Sequence, residues 1–292
     1  MIEVFILVVT FLWSMMWVSK KNLIRDVDCA TVYFWERMVL LLFLFSYMVI
    51  SEMSFSVSYD AVFYAALSGL CFTLLNALNF RLLRQIEVSS MSAIKELSKL
   101  FLGVVVGIAV FSETPTSFQV AGLLIVGFGA YFISKLSGRE VKVRPYHIGI
   151  AAVLMIFFQG KMVFEKFALA RMEPVQFVFY LILWSTVFTV VYMVRSGKSF
   201  DFVFSRKRVS VLLLSEFLFA VSLVIHGFVL RDRCFILVNI FLASSVVFNF
   251  LSSQAARSFF SVDTEATSDR KTIIWKFTAS IAVMVGLTVA LL

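Results

Sequence analysis

Charged side chains interrupt segments of this sequence that are otherwise almost entirely apolar. Glu96 and Lys99 stand three residues apart, and Lys161 and Glu165 stand four apart, so each pair shares one face of a helix. Glu216 is a single acid in a third such segment. A charge inside a membrane span is costly unless it faces a partner or a water-filled cavity. These residues are therefore candidates for contact with a polar solute.

Each charged candidate also has a structural interpretation. Glu96 and Lys99 either line a cavity or form a salt bridge at the membrane interface. Lys161 lies nearest the middle of its segment, which favours a cavity, and Glu165 is placed to neutralise it. Glu216 is either a proton-coupling carboxylate, since intramembrane acids form proton relays, or a group that hydrogen-bonds a neighbouring helix.

Polar uncharged and aromatic side chains complete the candidate set. Amides and indoles in apolar segments suit a polar or cationic solute, and they equally suit helix–helix contacts and interfacial belts. The uncharged candidates are Trp13, Trp17, Asn76, Asn79, Gln159 and Asn239. Glu36 and Arg37, adjacent in another apolar segment, form either a structural ion pair or part of a solute site. His226 is predicted to be structural.

The composition places these side chains in a membrane protein. Hydrophobic residues make up 61% of the 292 residues and charged residues only 15%, against roughly half and a quarter in soluble domains. The formal net charge is +8, but the basic residues lie in short stretches between apolar segments. That distribution is typical of membrane orientation. We therefore expect a lipid bilayer, and no nucleic acid, among the partners.

Ten apolar segments approach the length of about 20 helical residues that a bilayer requires. The predicted spans are 2–19, 29–50, 61–80, 92–111, 117–136, 146–170, 175–194, 209–230, 234–256 and 272–292. The sequence thus predicts an all-α polytopic membrane protein with ten transmembrane helices.

The connection near the middle of the chain leaves five spans on each side, which predicts two repeats, 1–138 and 139–292. The second repeat is predicted to be the more divergent. An odd number of spans makes the repeats enter the membrane in opposite directions. Secondary transporters use such inverted five-helix repeats to place a site at the midplane.

A hairpin from Met91 to Ser134 carries the most specific pattern. A tight turn separates two apolar helices, and glycines on the second helix would let another backbone approach closely. The run from Ser112 to Gly122 (SETPTSFQVAG), continuing to GFGAY, resembles the fourth-to-fifth helix signature of the drug/metabolite transporter superfamily, EamA type. The resemblance implies a ten-helix permease. The chain departs from the family near Lys99 and Ser245, where it lacks the usual prolines.

Basic residues outside the spans lie mostly in the odd-numbered connections. By the positive-inside rule these connections are cytoplasmic. Both termini and the turn containing Glu113 are then extracytoplasmic, in a protein of the cell (inner or plasma) membrane.

Several motifs are absent from the sequence. It contains no Walker-type nucleotide-binding loop, no H-E-x-x-H and no G-x-S-x-G, and Cys29, Cys71 and Cys234 are far apart. We therefore expect neither an enzyme nor a metal or other cofactor.

The function predicted from these features is secondary transport by alternating access. The partner is a small polar or amphipathic metabolite, and the energy comes from protons or a counter-solute. The mixed signs of the candidate charges favour a zwitterionic or anionic solute. The alternative is a non-transporting membrane sensor or assembly partner built on the same fold.

Overall fold

The computed structural model describes residues 2–23, 27–83, 88–137, 145–201, 206–260 and 270–292. All regular secondary structure in these ranges is α-helical. The helices are α1 (Ile2–Leu23), α2 (Cys29–Ile50), α3 (Tyr59–Leu83), α4 (Val88–Phe111), α5 (Ser117–Ser137), α6 (Pro145–Leu169), α7 (Pro174–Arg195), α8 (Arg206–Asp232), α9 (Phe235–Leu242), α10 (Ser245–Phe260) and α11 (Arg270–Val289).

Nine of the ten predicted spans correspond to single helices. The limits of α2 are those predicted, and the other helix ends differ from the prediction by at most four residues. Most of these helices extend slightly past their apolar stretches. Helix formation depends on backbone hydrogen bonding, so polar residues continue a helix where hydropathy has already fallen.

The ninth predicted span, 234–256, is discontinuous. The N–H of Ala243 is shared between the carbonyls of Asn239 and Ile240, at 3.3 and 3.2 Å, and the N–H of Ser244 donates to a carbonyl three residues back at 3.0 Å. Bonds to the third residue back tighten the chain into a 3₁₀-type turn. The span is therefore built from two helices, α9 and α10.

The described part of the chain contains six helical segments long and apolar enough to cross a membrane. These segments are Cys29–Ile50, Tyr59–Leu82, Tyr146–Leu169, Pro174–Arg195, Arg208–Asp232 and Phe235–Ser252, the last of which includes the break. Shorter apolar helices occupy Val4–Trp17, Ser98–Phe111, Ser117–Ile133 and Ile273–Val289. The protein is a multi-pass membrane protein.

The chain divides into two compact units, and each draws on both halves of the sequence. Unit 1 comprises Met1–Val18, Gln85–Ile156 and Arg233–Leu292. Unit 2 comprises Ser19–Arg84 and Phe157–Asp232. The helices α4 and α5 therefore share a unit with α9, α10 and α11, and α2 and α3 share a unit with α7 and α8.

In unit 1, α5 and α11 approach closely at two glycines. A Cβ on Gly122 would lie 2.5 Å from the carbonyl oxygen of Gly286, and a Cβ on Gly286 would lie 2.9 Å from that of Gly122. Gly129, later on α5, faces Val283, earlier on α11, so the two helices run antiparallel. Small residues allow this close backbone packing, as predicted for the glycines of the hairpin.

In unit 2, α7 packs against α2, α3 and α8. The Tyr33 hydroxyl on α2 lies 2.8 Å from Ser185 Oγ on α7, and Thr73 Oγ1 on α3 lies 3.0 Å from the same oxygen. All three side chains are buried. Hydroxyl groups thus link three helices, which is how intramembrane polar side chains commonly join neighbouring helices.

Candidate functional site

Unit 2 buries Arg37 beside two carboxylates. Arg37 Nη2 lies 3.5 Å from Glu216 Oε2 and 3.8 Å from Glu36 Oε2, and all three side chains are fully buried. Glu36 and Arg37 come from α2, and Glu216 comes from α8. Glu36 and Glu216 thus place carboxylates from two helices beside the Arg37 guanidinium.

Aromatic rings surround the Arg37 guanidinium. Its Cζ lies 4.8 Å from the ring centroid of Tyr33, 5.0 Å from that of Phe72 and 5.4 Å from that of Phe219. Within the described part of the chain, none of its three nitrogens has a hydrogen-bond partner. The guanidinium is therefore held by ring faces and by opposite charge rather than by directional bonds.

A second buried group in unit 2 is centred on Glu165. Lys161 Nζ donates to Glu165 Oε2 at 2.5 Å, one helical turn away on α6. Glu165 Oε1 lies 3.2 Å from Nδ1 of His226 on α8. Lys161 Nζ also lies 5.8 Å from the Phe72 ring centroid, so Phe72 borders both this group and the guanidinium of Arg37.

Among the described residues of unit 2, buried carboxylates outnumber buried lysine and arginine side chains. The three carboxylates of Glu36, Glu165 and Glu216 accompany the two cations of Arg37 and Lys161. His226 contributes a charge only when it is protonated.

The amide candidates of unit 2 are also buried. Asn76 Nδ2 donates to the Phe72 carbonyl one turn earlier at 2.7 Å, so this amide is engaged within its own helix. Asn79 and Gln159 are each only 3% exposed. Burial fits both interpretations of an intramembrane amide, a helix contact and a solute contact.

Unit 1 places a charged pair at the break between α9 and α10. Glu96 Oε1 accepts a hydrogen bond from Ser245 Oγ at 2.6 Å, and Lys99 forms a salt bridge with the same carboxylate. Ser245 is the first residue of α10. The carboxylate therefore lies at a helix N-terminus, where the backbone dipole favours negative charge.

A second lysine and the predicted tryptophans lie in the same unit. Lys95 Nζ is 5.3 Å from the ring centroid of Trp17, a distance at which an ammonium is attracted to an aromatic face. Lys95 is 9% exposed. Trp13 and Trp17 share one face of α1 and are both half-buried.

Asn239 packs on the backbone of α4. A Cβ on Gly103 would lie 2.7 Å from Asn239 Cγ. The absence of a side chain at Gly103 therefore permits this close approach of Asn239. Asn239 Nδ2 donates to the Phe235 carbonyl of its own helix at 3.0 Å. The position of this candidate is set by close packing of α9 on α4.

Glu113 caps α9, a role that the sequence did not reveal. Its Oε1 and Oε2 accept hydrogen bonds from the backbone N–H groups of Phe235 and Ile236, at 2.6 and 2.8 Å. These residues begin α9, and Cys234, the residue at its N-cap, makes no side-chain cap hydrogen bond. The run from Ser112 to Gly122 predicts the turn that contains Glu113. Nothing in that run indicates that Glu113 caps a helix that begins more than a hundred residues later in the chain.

The predicted site residues fall into both units. Unit 1 contains Trp13, Trp17, Glu96, Lys99 and Asn239, and unit 2 contains Glu36, Arg37, Asn76, Asn79, Gln159, Lys161, Glu165 and Glu216. Ser245 was not among the candidates, and no local pattern marks a single serine in an apolar segment as the partner of a distant acid. His226, predicted to be structural, contacts Glu165.

Comparison with known proteins gives a family for the first part of the chain. Residues 1–135 match the model of the EamA-like transporter family, which belongs to the drug/metabolite transporter superfamily. The predicted resemblance is confirmed. No curated protein matches the chain.

A comparison with solved structures gives the fold. One structure, titled only "Crystal structure of protein", superposes with a TM-score of 0.74 at 14% sequence identity, covering 99% of this chain and 96% of that one. At this identity the likeness shows a shared fold.

Proposed function

We propose that this membrane protein, whose residues 1–135 match the model of the EamA-like transporter family, is a secondary transporter of a small polar or amphipathic metabolite. The observation that carries the proposal is the burial of charged groups inside apolar helices: Arg37 with Glu36 and Glu216, Lys161 with Glu165, and Glu96 with Lys99. Ionisable groups at such positions mark solute and ion pathways in membrane proteins.

The proposal includes alternating access built on two inverted five-helix repeats, 1–138 and 139–292. The end of the family match at residue 135 supports the first boundary. The antiparallel packing of α5 and α11 supports the inversion, because the last helices of two inverted repeats cross the membrane in opposite directions.

We assign the driving force to a proton gradient or a counter-solute. The burial of the Glu36, Glu165 and Glu216 carboxylates supports a proton or a cation as the coupled species, because intramembrane acids form proton relays. Glu216 is the first residue to test, because it is fully buried and shares Arg37 with Glu36.

Transport assays test this function. Metabolite profiling of cells with and without the protein identifies the solute, and proteoliposomes then measure its flux. Lys161→Ala and Glu96→Gln should abolish flux while leaving expression intact. Lys198→Ala is a matched control, because Lys198 also pairs with an acid, Asp28, but is 39% exposed. Normal flux in both test variants would remove Lys161 and Glu96 from the transport site.

We place both termini and the Glu113 turn on the outside of the cell membrane. The bias of basic residues toward the odd-numbered connections supports this orientation. In a background without the native cysteines, Thr114→Cys should react with a membrane-impermeant maleimide in intact cells. Ser196→Cys, at the end of α7, should react only after permeabilisation. The opposite labelling pattern would reverse the orientation.

The second candidate function is a non-transporting sensor or assembly partner on the same fold. One observation favours it. The match to the family model ends at residue 135, so the second half of the chain diverges from the family pattern. Identical metabolite profiles with and without the protein, together with co-purification of a membrane partner, would support this alternative.

A further inference from the structure

Arg37 lies between two carboxylates that belong to different helices. Its Nη2 is 3.5 Å from Glu216 Oε2 on α8 and 3.8 Å from Glu36 Oε2 on its own helix, α2. Both distances are within ion-pair range but exceed the usual length of a hydrogen bond. Because the two carboxylates approach the same nitrogen, they compete for one cation.

The surroundings of the guanidinium permit a small movement toward either acid. The rings of Tyr33, Phe72 and Phe219 lie 4.8, 5.0 and 5.4 Å from Arg37 Cζ, and attraction to a ring face does not require one fixed hydrogen-bond direction. Among the described residues, no nitrogen of Arg37 has a hydrogen-bond partner. Arg37 can therefore pair more closely with one acid without breaking a hydrogen bond.

The two pairings differ in what they do to helix packing. Glu36 directly precedes Arg37 in α2, so a pair between these two residues joins no helices. A pair between Arg37 and Glu216 joins α2 to α8. The rings of Phe43 and Phe217, 6.1 Å apart, also join these two helices. The pair with Glu216 differs from this ring contact because its strength depends on the charge of a titratable side chain.

We propose that Arg37 couples proton binding at Glu216 to the contact between α2 and α8. When Glu216 is ionised, Arg37 holds α8 against α2. When a proton from water binds the Glu216 carboxylate, that group becomes neutral, and Arg37 pairs with Glu36 and releases α8. The inference rests on the proposed transport function and names a binding group and a positioning residue for its coupled proton.

Other titratable side chains are buried in the same unit. Within the described residues of unit 2 they are Tyr33 on α2, Lys161 and Glu165 on α6, and His226 on α8. The described ranges of α3 and α7 bury no acidic or basic side chain. A response of the α2–α8 contact to pH can therefore arise from Glu216 or from the contact between His226 and Glu165, and variants distinguish the two sources.

Distances between spin labels on the purified full-length protein in lipid nanodiscs test the proposal. Leu42→Cys on α2 and Leu214→Cys on α8 carry the labels, in a background without the native cysteines, because these side chains are 63% and 61% exposed. Acidification should raise the ratio of the long to the short distance roughly 5- to 150-fold, the range typical of coupled sites. An unchanged ratio would overturn the proposal.

A second label pair reports on α2 and α7. Leu42→Cys and Val187→Cys, which is 40% exposed in the native residue, should show the same distance at acidic and alkaline pH. The Tyr33 hydroxyl holds α2 to Ser185 of α7 at 2.8 Å, and that bond involves no carboxylate. An equal change in both label pairs would indicate general loosening and would contradict the coupling.

Two substitutions that preserve side-chain size should act in opposite directions. Glu216→Gln imitates the protonated acid and should give the long α2–α8 distance at both acidic and alkaline pH. Glu36→Gln removes the competing carboxylate, so Arg37 should stay with Glu216 and the short distance should persist at both. A purely structural cluster would be loosened by either substitution. Long distances in both variants, or a pH response that survives in Glu216→Gln, would refute the coupling.

Variants of Arg37 test the positioning role directly. Arg37→Lys should retain the pH response, because the pairs depend on charge and not on a guanidinium hydrogen bond. Arg37→Met should lose it and give the long distance throughout. A response in the methionine variant, or none in the lysine variant, would contradict the role. If Arg37→Met does not fold, the opposite effects of the two glutamine variants decide the question.

Glu173→Gln is the matched control. Glu173 also pairs with an arginine, Arg231 of α8, but it is 60% exposed. This variant should keep the full pH response, and so should His226→Gln. Loss of the response in Glu173→Gln would show that any acid paired with α8 produces it, and loss in His226→Gln would assign the proton to His226. Either result would overturn the proposal.

The coupling and the transport function fail in different ways. Solute flux with an α2–α8 distance that does not respond to pH would retain the transporter and discard the coupling. A distance that responds to pH through Glu216, in a protein that moves no solute, would retain the coupling and discard the transporter.

Discussion

Removal of the Glu113 carboxylate should release the start of α9. Its two oxygens accept backbone N–H groups at 2.6 and 2.8 Å. A hydrogen bond to a charged group contributes about 1.5–3 kcal/mol, and the helix dipole adds roughly 0.5 kcal/mol. Because Glu113 is partly exposed, each of the two bonds contributes about 1.5 kcal/mol, and solvent screens most of the dipole contribution. We expect Glu113→Ala to reduce the free energy of local opening at α9 by about 3 kcal/mol.

Amide hydrogen exchange measures this free energy directly. A loss of about 3 kcal/mol should accelerate exchange of the Phe235 and Ile236 amides roughly 100-fold. Glu113→Gln should produce about half of the free-energy change, because the side-chain amide retains one acceptor oxygen but presents a donor to the second N–H. Glu52→Gln, an exposed glutamate in another turn, should leave exchange at α9 unchanged.

Two outcomes would refute the capping role. The first is unchanged exchange at the start of α9 in Glu113→Ala. The second is an equal acceleration across all helices, which would show general destabilisation instead of local release of α9.

Two further substitutions test packing and charge burial. Gly122→Leu should prevent the close approach of α5 and α11, because the new side chain would meet the Gly286 carbonyl, and the protein should aggregate on size-exclusion chromatography. Gly127→Leu, which faces open space, should remain monodisperse, and identical profiles would contradict the interface. Lys161→Met should destabilise the protein by about 1.5–3 kcal/mol, because it removes one of two partners from a buried carboxylate that keeps His226. The double variant Lys161→Met/Glu165→Met should recover most of this stability in thermal unfolding, and a lack of recovery would argue against the pair.

Features that depend on one helix alone were predictable from the sequence. Apolar length located the helices, because about 20 residues must cross the bilayer whatever their neighbours are. The pairs Glu96–Lys99 and Lys161–Glu165 followed from helical spacing. In each case the geometry is fixed by the local backbone.

Features that depend on which helices meet were not predictable. The third partner of each group, Ser245 for Glu96 and His226 for Glu165, comes from another helix. Apolar spans have similar surfaces. Lipid tails are as apolar as these surfaces, so the hydrophobic effect does not select which helix faces pack together. Hydropathy alone therefore does not specify these contacts.

The break between α9 and α10 escaped prediction for a different reason. Helix interruptions are usually recognised by proline or glycine, and the turn here consists of Ala243 and Ser244. Serine favours helix ends because its hydroxyl competes for backbone hydrogen bonds. A single serine in an apolar run is, however, too common to mark a break.

Unit 1 is built from segments that are far apart in the sequence, and this determines when it can fold during synthesis. The hairpin of α4 and α5 emerges early, but the amides that Glu113 binds and the carbonyl that faces Gly122 belong to Arg233–Leu292. Unit 1 therefore closes only after Arg233–Leu292 has been translated and inserted. A chain that stops before α11 should insert its early helices yet leave the glycine face of α5 uncovered, which makes it a substrate for membrane quality-control proteases.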